Sequence, residues 1–384
     1  MIVKKIRLKN WRNFLELNVP LSEVSYVLGP NASGKSNLLD VFRFLRDVCK
    51  PRGGGLQAAV EKRSGMSKLR CLHARQDTEV LIDVELAESD DGESIWRYEL
   101  GFKVETAGAR RLLVSREAVW HLGSQILDRP DQNDRKDKEL LSQTHLEQIQ
   151  TNAKFRDLVA FFSEVTYLHL VPQLLKFSDR IGGTILEDDP FGQGFLGLIA
   201  QTTERTRNAR LSKIKKALQG AVPHIEDLRF AQDKLGRPHL EAKYVHFRPN
   251  AGWQSEEHFS DGTLRLIGML WALLDGHGLL LLEEPELSLN EEIVRLLPVM
   301  IDRGNRSRKS KRQVIISTHS SALLSNPAID ARGIVYLEAG EQGTDARQVN
   351  DTEREELEAG LTVAEVMLPK PRPESMTQLR LWNP

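Results

Sequence analysis

Hydrophobic and polar positions alternate with period two at Val80, Ile82, Val84 and Leu86, against Glu79, Asp83 and Glu85. The same rhythm returns at Trp96, Tyr98, Leu100, Phe102 and Val104, against Arg97, Glu99, Lys103 and Glu105. It predicts two antiparallel strands joined at the Asp91-Gly92 turn, and Arg111–Trp120 supplies a third. Three other apolar runs do not alternate: Ser25–Leu28, Leu279–Leu282 and Gln313–Ile316. Continuous apolarity over so few residues predicts strands covered on both faces, as in a parallel sheet. Leu38, Leu39, Val41, Phe42 and Leu45 share one face at the helical period instead. From about Gln132 to Phe162 the pattern is polar and helical. No heptad pattern lasts three repeats and there is no Cys-x-x-Cys hook, which argues against long coiled-coil arms. The mixture reads as an α/β protein.

The first buried strand runs directly into Gly29-Pro30-Asn31-Ala32-Ser33-Gly34-Lys35-Ser36, and the helix follows from Asn37. This is the G-x-x-x-x-G-K-S phosphate loop in the strand–loop–helix setting it requires, and it predicts a P-loop nucleotide site. Glycine lets the backbone curl so that N–H groups face phosphate oxygens, and the helix N-terminus adds positive character. The expected ATP contacts are Gly29, Asn31, Ala32, Ser33, Gly34, Lys35, Ser36 and Asn37. Lys35 should reach the β- and γ-phosphates, and the Ser36 hydroxyl should meet Mg²⁺.

The second buried run ends in Glu283-Glu284-Pro285, the Walker B pattern. Adjacent carboxylates at the end of a buried strand are costly unless a metal or phosphate site uses them. Glu283 is expected to support the magnesium and Glu284 to act as general base on the attacking water. The third run ends in Ser317-Thr318-His319, where the imidazole is expected to sense the γ-phosphate or the water.

With Phe259-Ser260-Asp261-Gly262-Thr263 upstream of the glutamate pair, the set resembles ABC-type ATPases of the SMC/RecF/OLD-like branch. Glu284–Asn290 resembles that branch's D-loop, Ser317–Ser320 its switch-histidine motif, and Ile6–Phe14 its first strand and adenine-side turn, which places Asn13 at the nucleotide. The resemblance implies an ABC-type head in which Ser260, Asp261, Gly262 and Thr263 complete the site of a second subunit. ATP would join two heads as a homodimer or higher oligomer, and hydrolysis at Glu284 would release them. It also implies a Q-loop glutamine. Gln173, after Val165–Val171, is the candidate and a further magnesium ligand, with Gln76 behind it.

Composition narrows the surroundings. The chain has 384 residues, 53 Lys+Arg against 54 Asp+Glu, and two cysteines, so neither a globally basic protein nor a disulfide framework is expected. No apolar run approaches the roughly 20 residues of a membrane span, and no signal peptide opens the chain, so a cytoplasmic setting without membrane contact is expected. Two segments are locally basic: Thr203–Lys216, and Arg303–Arg312 with Arg306, Arg308, Lys309, Lys311 and Arg312 as candidate DNA contacts. Glu338–Glu358 is acidic and reads as a solvated linker or docking surface. The expected organisation is a core from 1–50 and 225–345, an inserted lobe over 51–224 (β-meander about 75–125, helical about 132–220), and an extension over 346–384. After His319 there is too little chain for the Toprim nuclease that OLD-type relatives append. The expectation is therefore an ATPase switch for a separately encoded effector, a nuclease or toxin in anti-phage defence. The alternatives are a RecF-like DNA-repair ATPase and an ATP-joined scaffold with little turnover.

Overall fold

The computed structural model describes residues 1–74, 77–105, 110–177, 189–245, 252–306 and 311–368. Gln76, Arg308, Lys309 and Pro369–Pro384 lie outside the described residues, as does the side chain of Arg306.

Two six-stranded sheets organise the molecule. The first comprises β1 (Ile2–Trp11), β2 (Phe14–Pro20), β4 (Val80–Ala87), β5 (Ser94–Val104), β6 (Leu112–His121) and β7 (Ser124–Arg129), antiparallel in the order β2-β1-β4-β5-β6-β7. The second takes β3 (Val24–Leu28), β8 (Thr166–Leu168), β12 (Leu280–Glu283), β13 (Val314–Ser317), β14 (Ile334–Gly340) and β15 (Gly343–Arg347) in the order β15-β14-β3-β13-β12-β8. Its pairs are parallel except for the β14–β15 hairpin. A smaller antiparallel sheet joins β9 (Ile225–Gln232), β10 (Pro238–Tyr244) and β11 (Trp253–Ser255).

The unbroken apolar runs are explained by what covers them. Helix α1 (Lys35–Cys49) lies between the two large sheets, packing with Leu281, Ile315 and Val335 of one and Ile6, Tyr98 and Phe102 of the other. Phe44 of α1 stacks on Phe102 at 5.4 Å and meets Trp11 edge-on at 5.3 Å. The opposite face of the parallel sheet, Leu280, Leu282, Val314 and Ile316, forms a second core. Helices α3 (Glu204–Ala221), α4 (Asp261–Leu274) and α5 (Glu291–Arg306) contribute Ile214, Leu266, Ile267 and Leu297 to it.

The stretch 51–224, expected as an inserted lobe, shares both large sheets with the rest. β4 pairs with β1 from Ile2↔Ala87 to Lys9↔Leu81, so the expected meander continues the N-terminal hairpin. Three residues, Thr166–Leu168, form the parallel edge beside β12. The acidic Glu338–Glu358 segment is built into the fold, contrary to its reading as a solvated linker. It spans the β14–β15 hairpin and helix Asp351–Glu358, and Arg347 reaches Glu338 at 3.0 Å and the buried Glu353 at 2.7 Å. Within the extension expected over 346–384, Val349, Val363, Val366 and Met367 are buried in the second core. Among the described residues the longest helix is the 18-residue α3, and no helix is long and apolar enough to cross a membrane.

Candidate nucleotide site

β3 delivers the phosphate loop and α1 begins within it at Lys35. Gly34 adopts φ +98°, a left-handed conformation, and a Cβ there would overlap the Asn13 amide, so both backbone and space require glycine. Asn13 Nδ2 donates to Ser33 O at 3.0 Å and Thr344 Oγ1 at 2.7 Å, and Asn37 Nδ2 donates to Asn13 Oδ1 at 2.8 Å. These two amides brace the loop from beneath. Lys35 Nζ folds over it, donating to Gly29 O at 2.9 Å and Pro30 O at 3.1 Å. Burial holds the Lys35 ammonium below the ordinary lysine value, opposed by Glu284, Glu283 and Glu286.

The parallel register brings Leu282 beside Ile316 and Glu283 beside Ser317, so the carboxyl ends of β12 and β13 finish level. Glu283 receives two short hydrogen bonds, from the Ser36 hydroxyl on Oε1 and from the Tyr167 hydroxyl on Oε2. Tyr167 comes from β8, and its ring lies under the Arg43 guanidinium at 4.2 Å. Its ionisation is pushed up, chiefly by burial and then by the Glu283 charge, so it serves as a donor. Glu284 follows at φ +43°, a left-handed conformation strained for a glutamate, and turns its carboxylate to His319 Nδ1 at 3.2 Å. Glu286 is buried, and its Oε1 accepts from Thr318 Oγ1 at 2.6 Å and from the His319 N–H at 3.4 Å. It therefore ties the turn carrying Glu284 to the turn carrying His319.

Sequence reasoning missed both Tyr167 and Glu286. The Glu-Pro-Glu spacing was a signal for Glu286; nothing local marks Tyr167.

Ser260 caps α4, its hydroxyl accepting from the Thr263 N–H at 3.1 Å. Gly262 backs onto the turn after β12, where a Cβ would lie 2.5 Å from Ser288 O. Ser260 is exposed and Asp261 is partly so. Gln173, on the short helix α2 (Pro172–Lys176), is drawn to this segment: its Nε2 donates to Asp261 Oδ2 at 2.6 Å, beside Lys176 Nζ on Oδ1 at 2.7 Å. That places its amide on the signature segment, whereas Ser36 and Glu283 meet each other.

The basic segments divide. Arg312, expected as a DNA contact, is buried. Its guanidinium donates to Gly278 O, Ala272 O and Asp275 O and to Thr166 Oγ1, pinning β8 and the loop before β12. A guanidinium committed to those acceptors cannot meet a phosphate chain. Lys311 is paired with Glu23 at 2.8 Å. On α3, Arg210 reaches Asp275 and Lys215 reaches Asp227, each at 2.9 Å, while Lys213 and Lys216 are exposed.

Three buried polar atoms near the loop and the two strand ends, Ser33 Oγ, Ser317 Oγ and Glu286 Oε2, have no protein partner. With the glycine-shaped loop and the Lys35, Ser36 and Glu283 donor set, they fit a magnesium–nucleotide occupant.

A family model described as "AAA domain, putative AbiEii toxin, Type IV TA system" matches residues 24–325. Among solved structures, the chain is similar to an Smc head bound to the C-winged helix domain of ScpA, at TM-score 0.55 and 15% identity over 92% of this chain and 100% of that one. It is also similar to an Smc head with an extended coiled coil bound to the C-terminal domain of ScpA derived from Pyrococcus furiosus, at TM-score 0.53 and 13% identity over 93% and 98%. No curated protein matches in sequence. The fold is that of an ABC-type P-loop ATPase head, as the motifs predicted.

Proposed function

From the premise that the chain belongs to this AAA-domain family, we propose that it binds and hydrolyses ATP, and that nucleotide-driven association of two heads switches a separately encoded effector. The observation that carries the reading is the convergence of three strands and the first turn of α1: Ser36 and Tyr167 on Glu283, with Glu284 against His319.

Gly29–Ser36 would cradle the phosphates, and the buried Lys35 ammonium would exchange its loop carbonyls for phosphate oxygens. Ser36 and Glu283 would hold magnesium, which when bound neutralises charge on the phosphates. Glu284 takes the proton of the attacking water as its oxygen bonds the γ-phosphorus and the bond to ADP breaks. His319 orients Glu284 and reports the terminal phosphate through the same contact. Ser260, with the N-terminus of α4, would face the partner's phosphate, for which its exposed position leaves room.

The separate effector and the anti-phage setting rest on the resemblance of the motifs; the family description adds a type IV toxin–antitoxin context. DNA repair is less favoured because Arg312 is withdrawn into the core. A scaffold with little turnover is less favoured because Glu284 is held strained against a histidine, which nucleotide binding alone does not need. The test is Glu284→Gln. Turnover should fall at least about a hundredfold with ATP binding retained; unchanged turnover overturns the base assignment.

A further inference from the structure

The two basic stretches that the nucleotide site leaves unused come together elsewhere. A groove of about 720 Å³ runs between α3, α4 and α5. Its floor is apolar, built from Ile214, Ala217, Leu270, Ile293 and Met300, and Leu296 stands 55% exposed in its wall. Three cations rim it: Lys213 and Lys216 from the first basic stretch and Arg303 from the second, all exposed. None of the three is in an ion pair among the described residues, unlike their neighbours Arg210, Lys215 and Lys311, and Glu292 is the one acid in the lining. Residues about ninety apart in sequence thus place unpaired positive charge around one apolar trough.

That chemistry selects its occupant. A nucleic-acid backbone needs charge without an apolar floor. A flat protein surface needs no trough. An amphipathic helix lays an apolar stripe into a groove and matches the rim with its flanking charges. We propose that this groove docks an acidic amphipathic helix from a partner protein. Its leucine-like anchors fill the floor and pack against Leu296 in the wall, and its carboxylates meet Lys213, Lys216 and Arg303. The walls give docking a route to the nucleotide site: α4 is capped by Ser260, and α5 follows the turn that carries Glu284 and Glu286. The proposal stands on the groove and does not depend on ATP turnover.

The experiment measures fluorescence anisotropy of three labelled probes with the full chain: a Leu/Glu amphipathic helix, its Leu/Lys counterpart and a short DNA duplex. The Leu/Glu helix should bind at least about tenfold tighter than the Leu/Lys helix. It should lose at least about tenfold in Leu296→Glu and again in the triple variant Lys213→Glu, Lys216→Glu, Arg303→Glu. All four positions are exposed, and unchanged thermal unfolding confirms that the variants fold. Failure of the Leu/Glu helix to bind, or binding indifferent to Leu296→Glu, overturns the proposal. So does duplex binding that the triple variant abolishes while Leu296→Glu leaves it intact, which would mark a nucleic-acid surface.

Discussion

The Thr318 hydroxyl donates to Glu286 Oε1 at 2.6 Å, and the same oxygen accepts the His319 N–H at 3.4 Å. Glu286 stands two residues after Glu284, so one carboxylate spans the turns that bring Glu284 and His319 to 3.2 Å. What this strut needs is an acceptor oxygen, which glutamine also offers. Glu286→Ala should lower kcat about tenfold with KM nearly unchanged, and Glu286→Gln should recover most of it. Steady-state kinetics with a nucleotide-binding control separates this from simple unfolding.

The same residue sets a pH dependence. Burial raises the Glu286 pKa above the ordinary glutamate value of 4.5. Above that raised value the folded protein bears a buried charge that the unfolded chain bears in water. As pH falls through it towards 4.5, the folded state takes up its proton first and stability rises. Glu286→Gln carries no such charge. Its stability advantage over wild type should therefore be largest at neutral pH and shrink towards pH 4.5, as read from urea midpoints across that range.

Tyr167 acts on the other acid. Tyr167→Phe removes the hydroxyl on Glu283 and keeps the ring that packs under Arg43. The Mg²⁺ concentration for half-maximal turnover should rise about tenfold, the lower end of the about 10–100-fold cost of losing a partner of a metal-site ligand. A magnesium titration checks it; an unchanged curve places Tyr167 in packing alone.

Arg312 should matter for folding. Arg312→Ala leaves Gly278 O, Ala272 O, Asp275 O and Thr166 Oγ1 without their donor, and should cost about 3 kcal/mol or more in urea unfolding. Arg312→Lys should recover little, because an ammonium cannot match a fork spread over four acceptors.

These residues mark where sequence reading reached and where it stopped. The phosphate loop, the Glu283-Glu284 pair and His319 were legible because each is a strand end or turn written in a few adjacent residues. Gly34 announces its own backbone conformation. Tyr167 was not legible: β8 is three residues long, and its partner Glu283 lies 116 positions away. The β1–β4 pairing was hidden for a related reason, since alternation reveals a strand's faces but not its neighbour. Arg312 was misread because a charge run does not say which member turns inward; four acceptors from distant segments decide that. Gln173 was a Q-loop candidate on the resemblance alone; its amide donates to Asp261, a partner 88 positions away that no local pattern announces.

The central claim is that one head's phosphate loop works with the other head's signature segment. Mixing Lys35→Ala with Ser260→Asp tests it most directly. Each variant alone should be inactive: the first lacks the phosphate lysine, and the second keeps a helix cap but sets a carboxylate against the partner's phosphate. In a mixed dimer, the intact Lys35 of one chain faces the intact Ser260 of the other. ATPase activity should return on mixing, to a sizeable fraction of wild type. If the mixture stays as inactive as its components while both bind ATP or associate as wild type does, sites shared between heads are contradicted.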